Sequence, residues 1–232
     1  MYDLFGQAIH DYQTNNSPED LLTETSISEA DEMSVAYLFR SFEQMPHLEQ
    51  IALERAKGKI LDVGCGAGSH SLYLQNKGLD VTAIDISANA INACQLRGLK
   101  NTRMQNVLAL QNETFDTILI LMNGTGIFGT LAALPAYLQH LKSLLNPNGQ
   151  ILLDSSDLIY MYDENEDGSY SIPADGYYGE LSFTVSYKGQ TDPPFPWLYL
   201  DYKTLQRAAQ ANGLHCELIA EGEHFDYLAR LY

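Results

Sequence analysis

Basic residues are scarce in this chain. Only 13 Lys and Arg stand against 30 Asp and Glu, a formal net charge of −17. None occurs before Arg40, and none lies between Lys142 and Lys188. Binding to a phosphate backbone depends on clustered cations, so a nucleic-acid partner is disfavoured. The acidic stretches read first as a solvating surface, and second as flanks of a pocket for a neutral or cationic small molecule. Cysteine is also sparse. Cys65, Cys94 and Cys216 are odd in number and not at metal-ligand spacing, which argues against a zinc site or any other metal centre and fits a reducing cytoplasm. No apolar run approaches the roughly 18 residues of a membrane span. The opening Met1-Tyr2-Asp3-Leu4-Phe5 carries no basic segment of the secretory type, so the expected location is the cytoplasm.

What is present fits one sizeable α/β domain with decoration: 232 residues, of which 45% are hydrophobic and 10% aromatic. Residues 1–57 read as an N-terminal helical cap. Tyr2, Leu4, Phe5, Ile9 and Tyr12 fall on one helical stripe, and Asn15-Asn16-Ser17-Pro18 breaks it. The segment to Met33 is polar and carries no clear period. A second helical pattern covers Val35 to Gln44, and Pro46 opens a third that runs to Lys57.

From Gly58 onward strands and helices alternate, the pattern of a parallel sheet with right-handed crossovers. The expected strands are Ile60–Val63, Asp80–Asp85, a weak Thr102–Val107, Phe115–Met122 and Ile151–Asp154. Ser87 is placed to cap a helix through Leu96, and another runs from Leu131 to Leu145. Residues 156–200 interrupt the rhythm with Tyr, Gly, Pro and acids, and with β-like stretches at Glu180–Tyr187 and Trp197–Leu200. After a helix from Asp201 to Asn212, Cys216–Ala220 and Tyr227–Tyr232 are joined by so short a link that they must pair antiparallel.

The densest signal is Ile60-Leu61-Asp62-Val63-Gly64-Cys65-Gly66-Ala67-Gly68, an apolar strand running straight into a glycine-spaced turn and then a helix. In an open α/β sheet such a turn lies at the carboxyl end of the first strand, where nucleotide-like ligands bind. Gly64, Gly66 and Gly68 let the backbone pass close under a ligand. Asp62 would repel a pyrophosphate but favour an ammonium or sulfonium group. Asp85 ends the second strand, where a carboxylate can accept bonds from both ribose hydroxyls.

Taken together, these features resemble the class I S-adenosylmethionine-dependent methyltransferases, over residues 58–154 and 201–232. Leu61 to Gly68 looks like that family's first motif, Asp85 like its second, and the terminal antiparallel hairpin is a further family feature. The resemblance implies a Rossmann-like, doubly wound seven-stranded sheet over residues 58–232, with residues 156–200 as a β-rich substrate lid inserted after the fifth strand. It implies S-adenosyl-L-methionine as cofactor, held by Asp62, Gly64, Gly66, Gly68 and Asp85, and a small-molecule methyl acceptor.

Asn106 stands where the family usually carries an acid for the adenine amino group, with Gln105 as the alternative if the register differs by one. Ile86 and Val107 are candidates for the apolar walls of the adenine slot, or plain core residues. Met122 and Asn123 follow the fourth strand, where the family places residues around the methionine moiety and the transferred methyl. Asn123 equally suits a turn cap. His70, in the first turn of the helix after the glycines, is a candidate general base or a hydrogen-bonded histidine near a helix start. Asp163-Glu164-Asn165-Glu166-Asp167-Gly168 opens like a calcium loop but has Ala174 at the twelfth position, so it reads as an acidic turn. A nicotinamide-dependent oxidoreductase and a non-catalytic cofactor-binding module remain as alternatives. The first lacks a further glycine at Ser71 and any reason for Asp62.

Overall fold

The computed structural model describes residues 3–232, so Tyr2 of the expected first stripe lies outside the described residues. Two sheets organise the chain. The larger is built from β3 (Lys59–Val63), β4 (Asp80–Asp85), β5 (Thr102–Met104), β6 (Phe115–Ile120), β7 (Leu145–Ser156), β11 (Cys216–Glu221) and β12 (Asp226–Leu231). Its spatial order is β11-β12-β7-β6-β3-β4-β5, with β12 alone reversed: it pairs antiparallel with both β7 and β11. The chain switches direction between β3 and β6. That opens a crevice at the carboxyl ends of the strands, the standard binding position in doubly wound sheets.

Burial on both faces explains the near-continuous apolar runs of the central strands. Leu61, Ile118, Ile120, Ile151 and Leu153 pack against α5 (Leu134–Ser143) and α6 (Tyr202–Ala211). Ile60, Leu119, Leu121 and Leu152 point the other way, onto α2 (His47–Arg55). The weak third strand stops at Met104, because Asn106 immediately caps a 3-10 turn at Val107–Ala109.

The remaining strands form a second sheet. β1 (Leu21–Thr25) and β2 (Ser28–Met33) come from the N-terminal segment, while β8 (Glu180–Tyr187), β9 (Gln190–Thr191) and β10 (Phe195–Leu198) come from the insertion. β1 pairs β8 antiparallel, giving the order β10-β8-β1-β2 with β9 on β8. The expected helical cap is therefore only partly helical. α1 (Leu4–Thr14) and α2 stand, but a hairpin separates them, and Val35–Gln44 is two short 3-10 turns. The break comes at Arg40, whose backbone is extended, after which Ser41 and Gln44 form a capping box for a new turn. The hairpin leaves no local sequence signal, because its partner, β8, lies more than 150 residues downstream. Cap and insertion share one sheet built from two distant segments.

This second sheet is pinned to the main sheet near the latter's carboxyl edge. Thr125 Oγ donates to Leu198 O at 2.9 Å, Ser155 Oγ accepts from Leu200 N at 2.9 Å, and Trp197 lies against Gly126. A Cβ at Gly126 would overlap the indole. Gly126→Ala is expected to cost ~1–3 kcal/mol by overpacking, seen as a melting midpoint lowered by about 3–10 °C. An unchanged midpoint would contradict this contact. The acidic stretch at Asp163–Gly168 is an exposed turn, in which Asp167 accepts both the backbone N–H and the hydroxyl of Ser169. Among the described residues no group of three His, Cys, Asp or Glu could hold a metal ion, and no helix is long and apolar enough to cross a membrane.

Candidate active site

The glycine turn is held by the neighbouring strand. Gly64 N and Cys65 N both donate to Ile84 O, at 2.9 and 3.1 Å, and Gly68 N closes the turn on Cys65 O at 2.7 Å. Gly64, Gly66 and Gly68 all adopt positive φ, at 72°, 51° and 81°, and at Gly68 a side chain would also strike Cys94 and Leu99. Gly64 is exposed and faces the crevice.

Asp85 is tied to this turn. Its Oδ2 accepts Gly66 N and its Oδ1 accepts Ser87 N, both at 2.9 Å. Each oxygen keeps a lone pair for another donor. Burial raises the Asp85 pKa, and the bonds from Ser87 and Gly66 work against that rise. Beside it, Ile86 is 73% exposed and Met104, register partner of Asp85, is 63% exposed. Two apolar side chains standing free at the carboxyl edge next to a half-buried carboxylate suit an adenosine: an apolar slot for the base, Asp85 for the ribose. Val107 is in the main core, so of the two expected walls only Ile86 stands at the crevice. Asn106 is exposed at the same edge, with its Oδ1 accepting Leu108 N at 2.9 Å.

Asp62 lies beneath the turn, 2% exposed, and accepts the Ser71 hydroxyl at 2.7 Å; burial raises its pKa. Above the turn runs α1. Asp3 accepts the Ser87 hydroxyl at 2.6 Å and Asn89 Nδ2 at 3.2 Å, and Ile9 reaches over Gly66. Ser69 Oγ donates to Leu38 O at 2.7 Å, which draws the N-terminal segment onto the same loop.

On the far side of the crevice β6 ends in two consecutive left-handed residues, Met122 (φ 67°) and Asn123 (φ 53°). Such strain in side-chain-bearing residues persists only where the surroundings enforce it, and it clusters at functional sites. Asn123 Oδ1 accepts the Ser156 hydroxyl at 2.7 Å. The next strand contributes Asp154, whose Oδ1 accepts Gly124 N at 3.3 Å. Along β7 it follows Leu152 on the face covered by α2.

That face ends in a buried charge cluster. His70 Nε2 lies 2.6 Å from Glu49 Oε2, and Arg40 Nη2 donates to both Glu49 oxygens at 2.5 Å. Arg40, Glu49 and His70 are all buried, and Arg40 Nε has no partner among the described residues. The Arg40 guanidinium lies 4.0 Å over the Tyr37 ring. Burial alone would raise the Glu49 pKa, but His70 and then Arg40 outweigh it and hold the carboxyl below its ordinary value. The structure thus joins Asp62, Gly64, Gly66, Gly68, Asp85, Ile86, Asn106, Met122, Asn123 and His70 around or beneath one crevice. Arg40, Glu49, Asp154 and Asp3 were not singled out by sequence. Only Asp154 had a signal, its place at a strand's carboxyl end.

Comparison with known proteins agrees with this geometry. Residues 36–218 match the family model described as a methyltransferase domain. A SAM-dependent methyltransferase from Bacteroides fragilis, solved in complex with S-adenosyl-L-homocysteine, is similar over 99% of this chain and 94% of that one, at 47% identity and a TM-score of 0.91. A ubiquinone biosynthesis O-methyltransferase from Xanthomonas euvesicatoria pv. vesicatoria is 32% identical over 111 residues, 44% of this chain and 45% of that protein. A ribosomal RNA small subunit methyltransferase C from Shewanella amazonensis is 30% identical over 105 residues, 44% of this chain and 28% of that protein. The chain spans less than half the length of the curated relatives it matches.

Proposed function

The chain belongs to the methyltransferase-domain family, and from that premise we propose that it transfers the methyl group of S-adenosylmethionine to a small-molecule acceptor. The observation that carries this reading is the crevice itself: Asp85 with a free lone pair on each oxygen, between the exposed Ile86 and Met104 and beside a glycine turn. Bound there, the cofactor supplies a methyl carbon on a sulfonium, already a good leaving group. Asp85 would hold the ribose hydroxyls. Gly64 and Gly66 would let the backbone approach, and Ile86 with Met104 would flank the base. The buried Asp62 biases the field at the turn towards the methionyl ammonium.

The rest of the task is positioning. Transfer requires an acceptor atom in line with the methyl carbon and water kept out. Met122 and Asn123 stand at the strand end where that atom would approach, and the two-part lid overhangs the same edge. A small acceptor is favoured by the scarcity of cations, since the described surface offers no run of Lys and Arg for a phosphate backbone. The relatives act on both kinds of substrate by name, so the acceptor class needs its own test. The protein is incubated with methyl-labelled S-adenosylmethionine and a cell extract, then separated by ultrafiltration into small-molecule and macromolecular fractions. Label is expected in a small-molecule product that chromatography of the small-molecule fraction separates from S-adenosylmethionine itself. Label only in RNA or protein would overturn the acceptor class. Binding of S-adenosylhomocysteine without transfer to any fraction would mark a non-catalytic module.

A further inference from the structure

The methyl-transfer reading leaves the buried charges on the α2 face without a task. Asp154 is the member of that group nearest the strained Met122–Asn123 turn, held there by the Gly124 N–H. It is partly accessible, unlike Glu49 and Asp62 behind it. The charges that face it come from several elements. Glu49 on α2 and His70 on α3 (Ser69–Asn76) are close enough to act on it, and so are Tyr37 from the N-terminal segment and Tyr227 from β12. Arg40 joins this group through Glu49 and through the Tyr37 carbonyl, to which it donates at 2.6 Å.

We propose that Asp154 is the catalytic carboxylate that receives the proton of the acceptor atom, with the buried Arg40–Glu49–His70 chain behind it on the face covered by α2. The inference rests on methyl transfer at this crevice but not on the size of the acceptor. In the step, the lone pair of an O–H or N–H acceptor bonds the methyl carbon as the carbon–sulfur bond breaks. The bonding pair leaves with sulfur, whose positive charge disappears, and the acceptor's proton passes to Asp154. Charge bookkeeping within the cluster favours this assignment. Asp62, Glu49 and Asp154 set three carboxyl groups beside one buried guanidinium, Arg40 on Glu49, so a proton taken up by Asp154 lowers an excess of negative charge and creates no unpaired cation. Burial, opposed by the bonds from Asn123 and Gly124, raises the Asp154 carboxyl to about 7. A base so tuned takes a proton near neutrality and gives it up again.

The test needs no knowledge of the acceptor. Sinefungin carries a primary ammonium where the transferred methyl would be, whereas S-adenosylhomocysteine carries nothing there. The difference between their affinities therefore reads the methyl position alone, and calorimetry on the 232-residue chain supplies both. Asp154→Asn is expected to weaken sinefungin by about tenfold or more, while S-adenosylhomocysteine changes by less than about threefold. Asp154→Glu should recover part of the difference. In the unmodified protein the preference for sinefungin should grow as the pH rises through about 7, because the carboxylate forms there, and Asp154→Asn should remove that growth. Equal loss of both ligands, or no change in either, would overturn the assignment. So would a preference that stays flat with pH in the unmodified protein, a reading that holds even if Asp154→Asn does not fold. A macromolecular acceptor in the labelling experiment would leave these outcomes as they stand, so the two readings fail separately.

Discussion

Asp85→Ala is expected to lower the affinity for S-adenosylhomocysteine at least ~100-fold. Two hydrogen bonds from ribose hydroxyls to a carboxylate, at about 1.5–3 kcal/mol each, amount to two or more decades of binding. The substitution also frees the Gly66 and Ser87 N–H groups that the carboxylate now accepts, so the glycine turn loses its tie to β4. Asp85→Asn separates the two effects. One amide oxygen can accept one of those N–H groups and one hydroxyl, and its affinity should fall between the two extremes. Isothermal titration of the three proteins measures this directly. An Asp85→Ala affinity within about threefold of the unmodified protein would remove Asp85 from the cofactor site.

Glu49→Leu is expected to be the most destabilising single change in the site. It leaves the Arg40 guanidinium and His70 buried beside a hydrocarbon side chain. Removing one partner from a buried ion pair typically costs ~3–5 kcal/mol. In a chain of this length that corresponds to about 6–20 °C in melting midpoint. The double variant Arg40→Met with Glu49→Leu should be less damaging than Glu49→Leu alone, because it removes the orphaned charge along with its partner. The pH dependence has a fixed sign. The folded-state pKa of Glu49 lies below its ordinary value of 4.5, so its contribution is fully present above that pH. It is lost as the pH falls through the lower, folded value. Denaturant unfolding at neutral and at acidic pH measures both effects. A Glu49→Leu cost within ~0.5 kcal/mol, or a contribution that grows on acidification, would contradict the cluster as described.

Much of the fold was legible because its signals are local. Asp80–Asp85 and its Ser87-capped helix, the glycine turn and the terminal hairpin all follow from short-range periodicity and turn chemistry. The second sheet was legible only in half. Glu180–Tyr187 reads as a strand, but its partner Leu21–Thr25 is short and polar and gains its stability only from that distant pairing. The same holds for the site. Gly64, Gly66, Gly68 and Asp85 share one strand–turn–helix–strand unit, so spacing reveals them. Arg40, Glu49 and Asp154 come from three segments that meet only when α2 packs on the sheet, and a buried Glu in a helix looks in sequence like any surface Glu.

Ile86 sharpens the point from the other direction. An isoleucine after a buried strand reads as slot wall or as core; 73% of it is exposed, because the sheet ends before it and none of the described residues covers it. Val107, equally apolar and equally close in sequence to its strand, turns into the core beneath Leu110 and Phe115. Sequence places both at the edge; only the fold decides which one faces the crevice.

A crystal structure of the protein with S-adenosylhomocysteine tests the account most directly. The ribose hydroxyls are expected on the Asp85 carboxylate, the adenine between Ile86 and Met104, and the sulfur turned towards Asp154 and Asn123 beneath the lid. A ribose that makes no bond to Asp85, or a sulfur turned away from Asp154, would contradict it.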